Sequence, residues 1–155
     1  MSSQVLSDQL SPPLQTWVGL LRAHAAATRS LSAQLVAEHG LTINEYECLL
    51  RLARADDSRL RRVDLAQALL LTASGVTRLL DGLERRGYVD KATCASDARV
   101  TYAVLTVDGR AKLDEASCSH VAAIHAHFEE RLGPDEIRQL GDLLNRLPGV
   151  EVCAL

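Results

Sequence analysis

The amino-acid sequence predicts a mainly α-helical fold of six helices with one small β-hairpin. Three observations carry this. Apolar residues recur at three- and four-residue steps along most of the chain, the spacing of one helix face. A single stretch, residues 88–105, switches to the two-residue period of strands. Aromatic residues make up only 3% of a chain that is 47% hydrophobic, so the core must be Leu, Ala and Val, which suits helices better than a β-sandwich. At 155 residues the chain has the size of one domain with terminal extensions.

The elements follow in order. Residues 1–10 are polar and are expected to be flexible. Ser11-Pro12-Pro13 offers a cap and two prolines suited to a first helical turn, and Trp17, Leu20, Leu21, His24, Thr28, Leu31 and Leu35 mark one side of the long helix behind it. His39-Gly40 ends that helix, with Gly40 placed as its left-handed stop. Thr42-x-x-Glu45 is a capping box opening a helix that carries Tyr46, Leu49, Leu50 and Ala53 inward and stops near Ala55. Asp56-Asp57-Ser58 reads as a loop, and a short helix follows from about Arg62 to Leu69. Leu70-Leu71 is a tight connection. Thr72 then caps a helix whose inner face is Val76, Leu79, Leu80 and Leu83, closed by Gly87.

Strands are expected at Tyr88–Ala92 and at Val100–Leu105, the second with Val100, Tyr102 and Val104 alternating, around a tip of small and polar residues from Thr93 to Arg99. Thr106 caps a helix running to about Leu132. Gly133-Pro134-Asp135-Glu136 stops it and starts another, with face Ile137, Leu140, Leu143, Leu144 and Leu147, which ends at Pro148-Gly149.

Several function classes fall away at this level. No apolar run reaches bilayer length, and the opening Met-Ser-Ser-Gln-Val-Leu-Ser-Asp lacks the basic and apolar regions of a secretory signal, so a cytoplasmic protein with no membrane partner is expected. Cys48, Cys94, Cys118 and Cys153 stand far apart without a C-x-x-C pair, so thiols are expected instead of disulfides. No Gly-rich phosphate loop, G-x-S-x-G elbow or Cys/His/Asn signature is present, and the expectation is a non-enzyme without a cofactor. His120, His125 and His127, with Cys118 nearby, miss the three- or four-residue spacing of helical metal ligands, so no metal site is assigned; one would need Glu38, His39 or a second subunit.

The charge pattern is more informative. Residues 59–99 carry eight basic and five acidic side chains, a segment of net +3 in a chain of net −3, so the flanks together carry −6. A basic middle suits a polyanion. The order there is helix, short helix, tight turn, helix, hairpin: a helix-turn-helix with a β-wing. A reading helix must turn small and hydrogen-bonding side chains to the major groove while its back packs on the core. Ser74, Thr77, Arg78 and Asp81 fall opposite Val76, Leu79, Leu80 and Leu83. Thr72 and Ser74 sit in the first turn, where backbone N–H groups can meet a phosphate. Arg78 suits bidentate contact with guanine, and Ser74 and Thr77 can read several bases. Arg99 at the hairpin tip is placed for a minor groove and Lys91 for phosphate. Double-stranded DNA is the expected partner.

From Leu41 to Gly109 the chain resembles the multiple-antibiotic-resistance regulator (MarR) family of bacterial winged-helix repressors. The likeness is carried by Leu65-Ala66, by the unbroken run from Thr72 to Val89, by Asp97-Ala98-Arg99, which matches an Asp-x-Arg wing motif, and by Leu105-Thr106-Val107-Asp108-Gly109, which matches Leu-Thr-x-x-Gly. Flanking helices extend it over about residues 12–147. Val100 departs from the family, many of whose members carry a second arginine there. The resemblance implies a flexible N-terminus (1–10) and a single domain (11–155). In that domain, helices at about 11–39 and 107–147 interlock into a homodimer, and residues of about 42–105 form the winged lobe. It implies repression of a pseudo-palindromic operator, relieved by a small-molecule effector. It further implies that Asp97 supports the wing through a salt bridge to Arg99, and that Trp17, His24 and Tyr46 are candidates to line a pocket for a small aromatic or phenolic effector. Some relatives sense oxidants through a cysteine in the first helix; here none precedes Cys48, and Cys94, between Lys91 and Arg99, is the candidate thiol. The alternative from another class is a winged-helix dimer that has lost operator binding and serves as a protein-interaction or ligand-sequestering module.

Overall fold

A computed structural model describes residues 11–94, 97 and 99–149; the expected flexible segment 1–10 and Cys153 lie outside the described residues. Among the described residues six α-helices and three strands follow one another: α1 (Pro12–His39), α2 (Ile43–Arg54), β1 (Arg59–Arg61), α3 (Arg62–Ala68), α4 (Ala73–Arg85), β2 (Val89–Thr93), β3 (Thr101–Leu105), α5 (Val107–Glu129) and α6 (Pro134–Asn145).

Local chemistry sets most of these boundaries. α1 stops at Gly40, whose φ of 65° lets its N–H turn back to Val36 O while the Leu41 N–H reaches Leu35 O, and both leucines are buried. The capping box opens α2 as expected: Glu45 N–H donates to Thr42 Oγ1 at 3.3 Å and Thr42 N–H to Glu45 Oε2 at 2.8 Å. Between α3 and α4 the axis turns by 108°. Leu70 makes that turn with a φ of 53°, and the Leu71 N–H closes it on Ala66 O at 2.9 Å. Thr72 Oγ1 then accepts the Gly75 N–H at 3.1 Å and starts α4, which buries Val76, Leu80 and Leu83.

Two expectations need correction. Asp56–Ser58 is a 3₁₀ turn with positive φ at Asp57 and Ser58, and it feeds the strand β1, which the sequence reading missed. β1 pairs antiparallel with β3 (Leu60 opposite Ala103) and β2 pairs with β3 on the other side (Lys91 opposite Ala103), giving the order β1-β3-β2. On β3 the buried side chains are Ala103 and Leu105; Val100, Tyr102 and Val104 are only half-buried. The outer face is covered by charged side chains instead of a second layer: the Arg59 guanidinium lies 5.3 Å from the centre of the Tyr102 ring.

The core joins α2, α3, α4, the inner face of the sheet and the first half of α5 around Leu49, Leu52, Leu65, Leu80, Leu83 and Leu113. Cys48 is fully buried there, and burial, with Glu45 adding to it, pushes its thiol up to about 12, which leaves it an inert apolar group. By contrast no residue of α6 is buried, and Leu140, Leu143 and Leu147 are exposed, as are Leu14, Trp17, Val18, Leu20 and Leu21 on the first half of α1.

Two of the contacts that seat the winged lobe on the long helices run through Thr106 and Arg86. Thr106 Oγ1 accepts the Gly109 N–H at 3.0 Å, capping α5, and donates to Gly87 O at 2.6 Å, just past α4. Gly109 passes so close to the Tyr88 carbonyl that a Cβ would collide with its oxygen and lie 2.9 Å from Leu105 Cδ1. Arg86 makes the second contact, donating to Gly40 O at 2.9 Å and to Glu45 Oε1, with its guanidinium 5.4 Å from the Tyr88 ring centre. Gly109→Ala should therefore lower unfolding stability by roughly 1–3 kcal/mol or more, read from urea denaturation at fixed protein concentration.

A buried polar seam runs between α1, α2 and α5. His120, only 2% exposed, packs edge-on to Tyr46 at 4.5 Å, with its Nδ1 3.4 Å from Gln34 Oε1. Burial holds its imidazole below the ordinary 6.5; Glu47 pulls the other way and His39 adds to the lowering. A depressed histidine contributes stability above its unfolded value and loses it as the unfolded chain takes up the proton first. Stability should thus fall between pH 7 and 5, by at most about 1.4 kcal/mol per pH unit from this group. His120→Leu should flatten that slope in denaturation midpoints measured across the range.

Candidate nucleic-acid interface

The outward side of α4 is set by what its inner side must bury. With Val76, Leu80 and Leu83 in the core, Ala73, Ser74, Thr77 and Arg78 are exposed, as is Thr72 at the cap. Their hydrogen-bonding states differ. Thr72 Oγ1 is committed to the cap and lies 3.2 Å from Ser74 Oγ. Thr77 Oγ1 donates to Ala73 O at 2.9 Å and accepts from Arg62 Nη2 at 2.9 Å, so its hydroxyl is held by its own helix and by α3. Among the described residues, the Arg78 and Arg99 guanidinium groups have no carboxylate partner. Both are therefore able to engage an incoming anion.

Lys91 is placed differently from the expectation of a phosphate contact. Its Nζ lies 2.6 Å from Glu84 and 3.1 Å from Asp81, so the ammonium of β2 is tied to the last turns of α4. The Glu84 hydrogen bond first, then that of Asp81, holds it above the ordinary lysine range. Asp97 also departs from expectation: its Oδ1 accepts the Arg99 backbone N–H at 3.0 Å, and no ion pair joins the two side chains. A short carboxylate two residues earlier is well placed to cap a turn, and here it shapes the main chain of the wing instead of gripping the guanidinium. The Val100 N–H, donating to Asp97 O, and the Cys94 N–H, donating to Val100 O, both at 3.0 Å, complete the turn.

The sequence reading overlooked Arg62 as part of this face. Arg59, Arg61 and Arg62 stand beside the wing only because β1 pairs with β3. Arg61 forms a two-point pair with Asp64, at 2.7 and 3.0 Å. Arg62 reaches α4 through Thr77.

The candidate effector residues are not gathered in one site. Tyr46 is buried in the seam, its hydroxyl 3.2 Å from Ser117 Oγ, because the core and α5 take up both its ring and its oxygen. Trp17 and His24 are exposed on α1. A groove of about 780 Å³ lies beside His24, Thr28, Arg29 and Val36, and neither Trp17 nor Tyr46 borders it. The histidines of α5 also diverge: His120 is buried, His125 pairs with Glu129 at 3.0 Å, and the rings of His127 and Phe128 meet edge-on at 5.5 Å. Among the described residues no set of three or more His, Cys, Asp or Glu side chains converges to hold a metal ion. Cys94 is half-buried at the end of β2 and Cys118 is exposed on α5. Among the described residues, no single helix is long and apolar enough to cross a membrane.

Comparison with known proteins agrees with this geometry. A family model described as the MarR family matches residues 39–100. The HTH-type transcriptional repressor YetL of Bacillus subtilis (strain 168) is 33% identical over 114 residues, covering 72% of this chain and 68% of YetL. AbsC, a MarR family transcriptional regulator from Streptomyces coelicolor, superposes with a TM-score of 0.78 at 31% identity, covering 87% of this chain and 91% of AbsC. Sco3205, a MarR family regulator from the same organism solved in complex with DNA, gives 0.80 at 29% identity, covering 88% and 86%. These relatives are transcriptional regulators, not enzymes. With its helical frame, its three-stranded wing sheet and its matched Thr72–Val89 run, the chain belongs to the MarR family of winged helix-turn-helix transcriptional regulators.

Proposed function

We propose that the protein is a homodimeric cytoplasmic repressor that binds a pseudo-palindromic operator and is released by a small aromatic or phenolic effector. The observation that carries this reading is the outward face of α4, with Ser74 and Arg78 exposed above a buried apolar back, flanked by Arg99 on the wing. YetL is a repressor and Sco3205 was solved on DNA, which supports the same role here. Residues of about 42–105 would form the reading lobe. The helices at about 11–39 and 107–147 would form the dimer, which accounts for an α6 with no buried residue and for Trp17 standing 56% exposed. Thr72, Ser74, Thr77, Arg78 and Arg99 are the proposed DNA contacts, and Lys91 and Asp97 support the wing.

Effector release would work by shifting the lobes to a spacing that no longer matches successive major grooves. Trp17 and His24, with the groove beside His24, would be completed by a second copy. Asp81 and Glu84, which neutralise Lys91 on the lobe, favour the second reading, a winged-helix dimer without operator binding. A protection footprint on the intergenic DNA beside the protein's own gene separates the two: a symmetric protected site supports the repressor, and no specific protection at moderate salt supports the module.

Arg78→Ala should cost about 1–3 kcal/mol of discrimination between the operator and a base-substituted site. Arg99→Ala should weaken all duplexes more evenly; titrations of matched and mismatched duplexes by fluorescence anisotropy separate the two effects. Leu143, 57% exposed, is expected to lie in the dimer, so Leu143→Asp should shift the sedimentation coefficient toward a monomer while leaving the helical circular dichroism of the lobe in place.

A further inference from the structure

A duplex that places α4 in its major groove and the wing in the adjacent minor groove must run one sugar–phosphate strand between the two. The protein surface at that crossing is a cleft of about 330 Å³ walled by Arg61, Arg62, Val63, Arg99, Val100 and Thr101. Three arginines from two separate parts of the chain therefore line one concavity. Arg62 ties it to the reading helix through Thr77 Oγ1, and Arg99 belongs to the wing. Arg61 is braced by Asp64, which offsets one of the three positive charges and leaves the cleft strongly cationic. Arg62 spends only Nη2 on Thr77, and its remaining N–H groups, with those of Arg99 and the hydroxyl of Thr101, are the donors a phosphate needs.

We infer that this cleft seats a phosphodiester of the DNA backbone, the one crossing between the two grooves. The proposal rests on the DNA-binding reading above and adds to it the strand position that fixes the register of both readers. A phosphate there is contacted from α3 and the wing together, and through Arg62 it braces Thr77 on α4. Its recognition carries no sequence information.

The test uses the full-length protein and a 25-base-pair duplex of arbitrary sequence, because non-specific affinity is governed by phosphate neutralisation. Affinity is followed by fluorescence anisotropy across a salt series for the unmodified protein, Arg62→Gln, Arg62→Lys and Arg61→Gln/Arg62→Gln. Each lost arginine–phosphate contact should reduce the slope of log affinity against log salt by about 0.9 per lobe on the DNA. Arg62→Gln is expected to lower the slope, the double variant to lower it at least as much, and Arg62→Lys to restore it, since lysine keeps the charge and lacks the planar fork. Thermal melts of each variant separate loss of fold from loss of contact.

An unchanged slope in both glutamine variants, or a loss that lysine does not rescue, overturns the proposal. Saturable binding of inorganic phosphate alone at sub-millimolar concentration would assign the cleft to a free anion and also overturn it. If the unmodified protein binds no duplex at low salt, it is the DNA-binding reading that fails. If it binds with a salt slope that the variants share, only the cleft assignment falls.

Discussion

Thr106 holds the reading lobe to the long helix α5 with one oxygen used twice: it caps α5 by accepting the Gly109 N–H and donates to the Gly87 carbonyl just past α4. The second bond requires the α4–β2 corner to lie directly over the first turn of α5. That approach is possible because position 109 has no side chain, the Tyr88 carbonyl occupying the space a Cβ would need. The angle at which α4 meets α5 is thus fixed by a threonine and a glycine lying twenty residues or more beyond its end. Without this junction the buried face of α4 would still pack, but the angle between the reading helix and α5 would not be defined.

The wing is held to α4 in a similar way. Lys91 spans from β2 to Asp81 and Glu84, and the antiparallel register carries that attachment across to β3 and β1. Exposed ion pairs of this kind contribute little to stability on their own. Their geometric effect is larger, because two carboxylates on successive turns of α4 leave the strand few positions to occupy. Lys91, whose place in the sequence suits a phosphate, is bonded here to two carboxylates of α4, while Arg78 and Arg99 have none among the described residues.

Much of the fold was legible because it depends on neighbours in sequence. The Thr42–Glu45 box, the Thr72 and Thr106 caps and the left-handed Gly40 are local chemistry, and each is found where its spacing places it. What escaped notice depends on distant partners. β1 is three residues of Arg-Leu-Arg, too short and too polar to show a period, and it is a strand only because β3 lies beside it. The alternation of Val100, Tyr102 and Val104 marks the strand but not its inner face, which is that of Ala103 and Leu105, while Arg59 lies over Tyr102 on the other side. Tyr46 lies on the inward face of its helix by spacing and borders an effector pocket only by the resemblance; its contacts with Ser117 and His120 place it in the buried seam. The resemblance foresaw Asp97 beside Arg99 but not that its bond would go to the main chain.

Arg86 gives the architecture a mechanical consequence. One guanidinium touches the carbonyl that ends α1, the carboxylate that opens α2 and the ring of Tyr88 at the foot of the wing. Any swing of α1 about Gly40 displaces that carbonyl, and the charged side chain must either follow it or give up a bond in a partly shielded position. A tilt of the 28-residue α1 would therefore be felt through this arginine at the foot of the wing as well as in the connecting loop.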